Sequence, residues 1–328
     1  MRSRPPGTSR RPGGRPELVG RTLQAVGVAV FVSGLCFIVV QRLPGDVAYR
    51  IAAGRYGYDL VDADAAAGVR EELGLDRPAW QQLLGWLGDL GRLDLGRSLV
   101  THQPVLSEVG YFLIGTLQLA AVALLLAVVI GCPLGTAAAL RPGGVVDRLT
   151  DLWVALVRAL PAFLLGLILI VVLSVHLRLL PSAGHGGSTT IVLPALTLAL
   201  GLSGLIARVA RDAVVETRQS DHVRFAHTKG LTDRLVLLRH VARNAAAVLV
   251  PYLGVQAVVL VEGVVVVEAL FSWQGLGHAL VHAVFWRDIP VLQATALVLA
   301  LLVVAVNTLV DLTVLWLDPR PRRQEAMS

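Results

Sequence analysis

The sequence predicts an all-α integral membrane protein with about six transmembrane helices, and three observations lead there. The chain has 328 residues, 55% of them hydrophobic and only 16% charged, against about 25% charged in ordinary soluble domains; its mean hydropathy is +0.68. Six segments, approximately 22–40, 109–140, 152–177, 191–210, 245–270 and 291–317, are apolar enough to span. Crossing about 30 Å of hydrocarbon takes roughly 20 such residues, and only a helix bonds all its own backbone groups there. Finally, basic residues concentrate in alternate connections, as they do where one side of a membrane protein is retained in the cytoplasm.

The opening "MRSRPPGTSRRPGGRPELVGR" holds six Arg against one Glu. Its Pro and Gly preclude a packed core, so residues 1–21 read as a disordered basic cytoplasmic arm. The apolar run that follows is long and lacks a small-residue cleavage site, which favours an uncleaved first transmembrane helix over 22–43 rather than an export signal. Residues 44–108 carry six Arg against ten Asp or Glu and read as an extracytoplasmic loop with short helices. Within it Leu83, Leu84, Trp86, Leu87 and Leu90 recur at helical spacing. The core follows over 109–317, interrupted by a cytoplasmic loop at 211–243, and residues 318–328 form a cytoplasmic tail.

With the arm in the cytoplasm, "RPGGVVDRLTD", the stretch 208–243 and "DPRPRRQEAMS" lie on that same side. The stretch 208–243 alone holds eight basic and four acidic residues. This charge sets orientation in the bilayer, so no nucleic-acid partner is expected. Pro161 and Pro194 fall in first turns, where proline is tolerated. Arg158 and Asp311 read as anchors at the inner ends of the third and sixth spans.

Several chemistries are missing. A phosphate-cradling GxxxxGK[ST] loop is absent, since Lys229 is followed by Gly230, so any nucleotide belongs to another subunit. Neither HExxH nor GxSxG occurs, and no catalytic residue is assigned. His278 and His282 stand at i and i+4, half of a metal site with no third ligand in view. Cys36 and Cys132 each sit alone in an apolar run and read as packing residues. No metal and no cofactor is expected. Charged residues inside spans mark function or snorkel from an end. Glu262 lies deep in the fifth span and Glu268 close to its outer boundary, where water could reach it; both are candidates for a substrate path. An ion-gradient-driven secondary transporter using Glu262 is one reading of that deeper carboxylate.

The cytoplasmic stretch "VRFAHTKGLTDRLVLLRH" poses a sharper question. Gly230 divides two helix-prone pieces, and Thr232 is placed to cap the second. Val223, Phe225 and Ala226 give the first piece a small apolar face, with Arg218, Arg224, His227 and Lys229 around it. A helix resting on lipid headgroups and a helix inserted into a partner's groove both fit this pattern.

Resemblance decides between them. "RQSDHVRFAHTKGLTDRLVLLRHVARNA" resembles the cytoplasmic signature of binding-protein-dependent ABC importer permeases of the dipeptide, oligopeptide and nickel class. Further matching motifs run in order along the chain: "LPGD", "GRSLVTHQPV", "RALPAFLLGLILIVV", "LPSAGHG", "LPALTLAL", "VVVEALFSWQGLG" and "NTLVDLTVLWLDPR". The family pattern of EAA, three residues, then Gly is met here by Arg224, Phe225, Ala226 and Gly230, so only the last Ala and the Gly keep the general form. Where the family often has Pro after "RNA", Val248 stands and Pro251 comes later.

The resemblance implies the type I ABC importer permease core in a bacterial inner (plasma) membrane, with both termini cytoplasmic. It implies a loop that docks on an ATPase through Asp221, Arg224, Phe225, Ala226, Lys229 and Gly230. The partners it implies are a second homologous permease, two ABC ATPase subunits, an extracytoplasmic solute-binding protein and the lipid bilayer. Cargo would be di- or oligopeptides or a related solute such as nickel, and ATP hydrolysis would reside on the partners.

Overall fold

Apolar runs of this length can bond their backbone groups only within themselves, and the computed structural model is accordingly helical. One isolated bridge, Arg97 to Pro104, is the single strand-like pairing among the described residues. The structure describes residues 24–317 except 25, 33, 37, 40, 41, 43, 75–80, 82, 83, 86, 87, 90, 93 and 185–188, and the backbone alone of 222, 227 and 314–317. The arm at 1–21, the tail at 318–328, part of the first span and most of the Leu/Trp repeat at 83–90 therefore lie outside the described residues.

After the first span, whose described residues are helical, come two short helices: α1 at Val47–Tyr56 and α2 at Ala63–Leu73. Each has an aspartate N-cap. Asp46 accepts from the Ala48 and Tyr49 amides and Asp62 from Ala65, which satisfies donors that a first turn leaves unpaired. Ala48, Ile51, Ala52 and Val69 bury the contact between them. Arg55 pairs with Glu72 at 2.6 Å and holds that carboxyl below the usual carboxylate range. These helices and the loop before residue 105 form a cap on one end of the bundle.

The bundle consists of α3 at Val105–Leu140, α4 at Val145–Ala159, α5 at Ala162–His176, α6 at Val192–Gln219, α7 at Asp221–Thr228, α8 at Asp233–Leu270, α9 at Leu276–Trp286 and α10 at Ile289–Leu317. Four of these, α3, α6, α8 and α10, are long and apolar enough to cross a membrane. A fifth crossing is broken. The third span is expected to be one helix, but α4 and α5 meet at 106°. Leu160 is extended because Pro161 follows it, and Pro161 then opens α5. The second helix-prone piece, expected to start at Thr232, is continuous with the fifth span: α8 runs unbroken from Asp233 through a π-type turn at Leu237–Val241.

The core lies where α3, α6 and α8 pack. Leu119, Ala123 and Ala127 at i, i+4, i+8 on α3 meet Leu198, Leu202 and Ile206 of α6 and Leu260, Val264 and Val267 of α8. Apolar burial gives helices little reason to associate in lipid, so close backbone packing has to do so. On α3, Gly131 and Gly135 supply that approach: a Cβ at Gly135 would sit 2.1 Å from the Ala207 carbonyl oxygen of α6, and one at Gly131 2.7 Å from that of Ser203.

Candidate functional site

One end of the bundle, opposite the cap along α3, carries α7. Ser220 breaks the helix before it, being extended, and its carbonyl accepts from the Val223 and Arg224 amides to start the new one. Val223 and Ala226, three residues apart, are 3% and 4% exposed and pack on Ala139, Ala213, Val214, Val236, Val241 and Ala245. Phe225 is 61% exposed, and the Lys229 ammonium lies 4.6 Å from its ring centroid. Asp221 and Arg224 also face outward.

The structure thus divides the apolar face expected of this piece. Val223 and Ala226 seat the helix, while Phe225 is presented on the other side with Arg224. Gly230 ends the segment with φ +77°, a left-handed conformation that costs glycine little, and open space surrounds its Cα. Thr232 does occupy the N-cap position of α8, but its side chain makes no capping bond; only its carbonyl accepts, from Val236.

Polar braces hold this end, and of their side chains sequence reasoning named only Arg218, as part of the charged rim of α7. Arg211 of α6 grips Asp147 of α4 with two bonds, 2.7 and 2.9 Å, and the Gly143 amide adds a third at 2.8 Å. Arg218 donates to the carbonyls of Ala139 and Leu140, the unpaired acceptors at the end of α3. Arg211 and Asp147 are 64 residues apart, so the sole sequence signal was a pair of charges at the margins of apolar runs.

The two membrane carboxylates exchange the roles expected of them. Glu268 is fully buried rather than solvated at a boundary. Its oxygens accept from the Thr116 hydroxyl and the Gly277 amide, both at 2.7 Å, and Thr116 in turn accepts from the Leu276 amide at 2.8 Å. A Cβ at Gly275 would lie 2.0 Å from Glu268 Oε1. In this arrangement Glu268 ties the 271–277 turn to α3, in place of the water-reached position expected of it. Glu262 is exposed, on a face of α8 shared with Val255, Val259 and Val266.

His278 and His282 stack on α9 with ring centroids 4.3 Å apart, and among the described residues no group of three or more His, Cys, Asp or Glu is placed to hold a metal. Cys36 and Cys132 are free.

Residues 131–323 match the family described as "Binding-protein-dependent transport system inner membrane component". The chain belongs to that family. It is similar to the glutathione transport system permease protein GsiC of Pectobacterium atrosepticum, 36% identical over 306 residues, covering 93% of this chain and 98% of that one. A putative peptide transport system permease protein of Brucella abortus is 36% identical over 313 residues, with the same coverage of each. Among solved structures, an inward-facing MetNI methionine ABC transporter matches with a TM-score of 0.55 at 20% identity, over 66% of this chain and 99% of that one. That likeness places the helical core in the type I ABC importer permease fold. The chain is a permease subunit of an ABC importer and an inner membrane component. The reading as an ion-gradient transporter built on Glu262 finds no support in any of these relatives.

Proposed function

We propose that this permease imports peptides carrying a free backbone, of the size of di- or oligopeptides, and that α7 is where an ATPase subunit docks. The peptide assignment is supported by relatives named for glutathione and peptide transport. The docking assignment is carried by one observation: an eight-residue helix buries Val223 and Ala226 in its own chain while presenting a 61% exposed Phe225 beside Arg224 and Lys229. An exposed aromatic flanked by cations is the composition that protein interfaces use as an anchor.

In the assembled importer, two ATPase subunits and a second, homologous permease complete the machine, and an extracytoplasmic binding protein delivers cargo to the cap end. The α7 end and both termini face the cytoplasm, in keeping with the excess of basic residues there. Closure of the ATPases on ATP displaces α7. Because α7 is seated on α3, α6 and α8, the displacement passes to the helices that gate the path. The permease itself carries out no covalent step.

Glu262 lies about 12 Å along α8 from Leu270, well within hydrocarbon depth. A carboxylate there is tolerated facing water or a partner rather than lipid, so its face lines the path between the two permeases. Phe225→Glu tests the docking assignment. The variant is expected to insert normally and to lose co-purification of the ATPase together with uptake; unchanged co-purification would sink it.

A further inference from the structure

A second polar site lies at the cap end, in a cavity of about 230 Å³. That is the room of about eight waters. Its walls include Glu108 of α3, Phe112 one turn on, His278, His282 and Trp286 of α9, and Asp288 at the start of α10. Among the described residues no Lys or Arg lines it.

The two carboxylates are held in place by neutral groups. Asp288 accepts from the Ser98 hydroxyl and from the amides of Leu99, Val100 and Val291. Glu108 accepts from the Thr101 hydroxyl at 3.2 Å through one oxygen, Oε2. These bonds orient the carboxylates without neutralising them. Arginines around it have partners of their own: Arg287 donates to the Pro44 carbonyl at 2.7 Å, Arg55 pairs with Glu72 and donates to the Leu99 carbonyl, both at 2.6 Å, and the Arg50 guanidinium lies over Phe285 at 5.3 Å. Phe112 and Trp286 add aromatic surface to the lining, a residue type that attracts cations where a ring face is presented.

We propose that this cavity binds a primary ammonium group, the free N-terminus of incoming cargo. A metal ion is a poorer fit because no set of three ligands converges here. An ammonium needs only what is present: a carboxylate with an available oxygen, hydrogen-bond acceptors and an aromatic surface. The identity of the ammonium as a peptide terminus rests on the peptide assignment above. The ammonium chemistry does not.

The test uses the permease complex with its ATPases in nanodiscs, without the binding protein, so that only the membrane subunits select. Three probes are compared by saturation-transfer NMR: n-propylammonium, trialanine and N-acetyl-trialanine. The first two are expected to bind and the acetylated peptide not to. Glu108→Gln, which keeps the bond to Thr101, is expected to weaken both by about tenfold or more, as loss of a charged partner does. Glu108→Lys places an ammonium of its own in the cavity and is expected to abolish binding while the complex still assembles. Equal binding of free and acetylated trialanine, no binding of propylammonium, or an unchanged affinity in Glu108→Gln would each overturn the proposal. If propylammonium binds as expected but the importer takes up no peptide, it is the peptide assignment that fails.

Discussion

The two ends of α3 are built on opposite principles. At the cap end, carboxylates are buried among neutral donors: Glu268 on Thr116 and Gly277, Asp288 on Ser98 and its neighbouring amides. At the α7 end the braces are arginines spread over carbonyls and a single aspartate, and the docked element is an eight-residue helix held by Val223 and Ala226. In the first arrangement each partner is tied to several others, while close glycine packing is common to both ends, at Gly275 and Gly277 on one side and at Gly131 and Gly135 on the other. The second has a small seat and an exposed face, in keeping with the docking role proposed for it. The two modes of bracing are thus separated along one helix of 36 residues.

If that contrast is right, substitutions at the cap end should act on folding and those on α7 on coupling. The largest effect is expected for Gly275→Ala, whose Cβ would collide with Glu268 Oε1. Overpacking against a fully buried carboxylate should cost about 3 kcal/mol, read as lost detergent-solubilised monomer and a lower Tm. Normal yield would show that the turn at 271–277 is looser than its contacts imply.

Asp147→Ala comes next. It leaves Arg211 without its two-bond partner at the α4–α6 contact, for about 2 kcal/mol. Tm should fall while purified protein still binds ATPase, since α7 is not itself touched. Loss of ATPase binding with unchanged Tm would instead make this brace part of the coupling surface.

Phe225→Ala should have the reverse signature. Its ring is mostly exposed, so Tm should hold within about 0.5 kcal/mol of stability, while ATPase affinity drops about tenfold or more by titration in nanodiscs. A Tm loss as large as that of Gly275→Ala would erase the contrast between the two ends. The smallest effect is expected for Glu262→Gln, which should alter uptake rate and leave assembly and Tm unchanged; an unaltered rate would remove Glu262 from the path.

Much of this was legible in advance where the signal is local. Hydropathy located the long helices, and the position of Gly230 correctly divided α7 from α8. The break between α4 and α5 was written in Leu160–Pro161, but an unbroken apolar run concealed it, because hydropathy counts residues and does not register that proline forces its predecessor out of the helix. The cap aspartates Asp46 and Asp62 were likewise readable as N-caps, and were missed only because the loop was read for its Leu and Trp repeat.

The remaining decisions belong to contacts between distant residues. Composition and periodicity alone determined that this is a helical membrane protein, roughly where its spans run, and that a short helix with a glycine turn interrupts them. Those features depend on each residue's own preference for lipid or water and on neighbours within a turn or two. Tertiary packing alone decided that Phe225 faces out while Ala226 faces in, that Glu268 is sealed while Glu262 is open, and that Arg211 finds Asp147. A carboxylate six residues from another on the same helix sits about 120° away around it, so whether it meets a hydroxyl, a glycine or open space is set by which helices pack against each face.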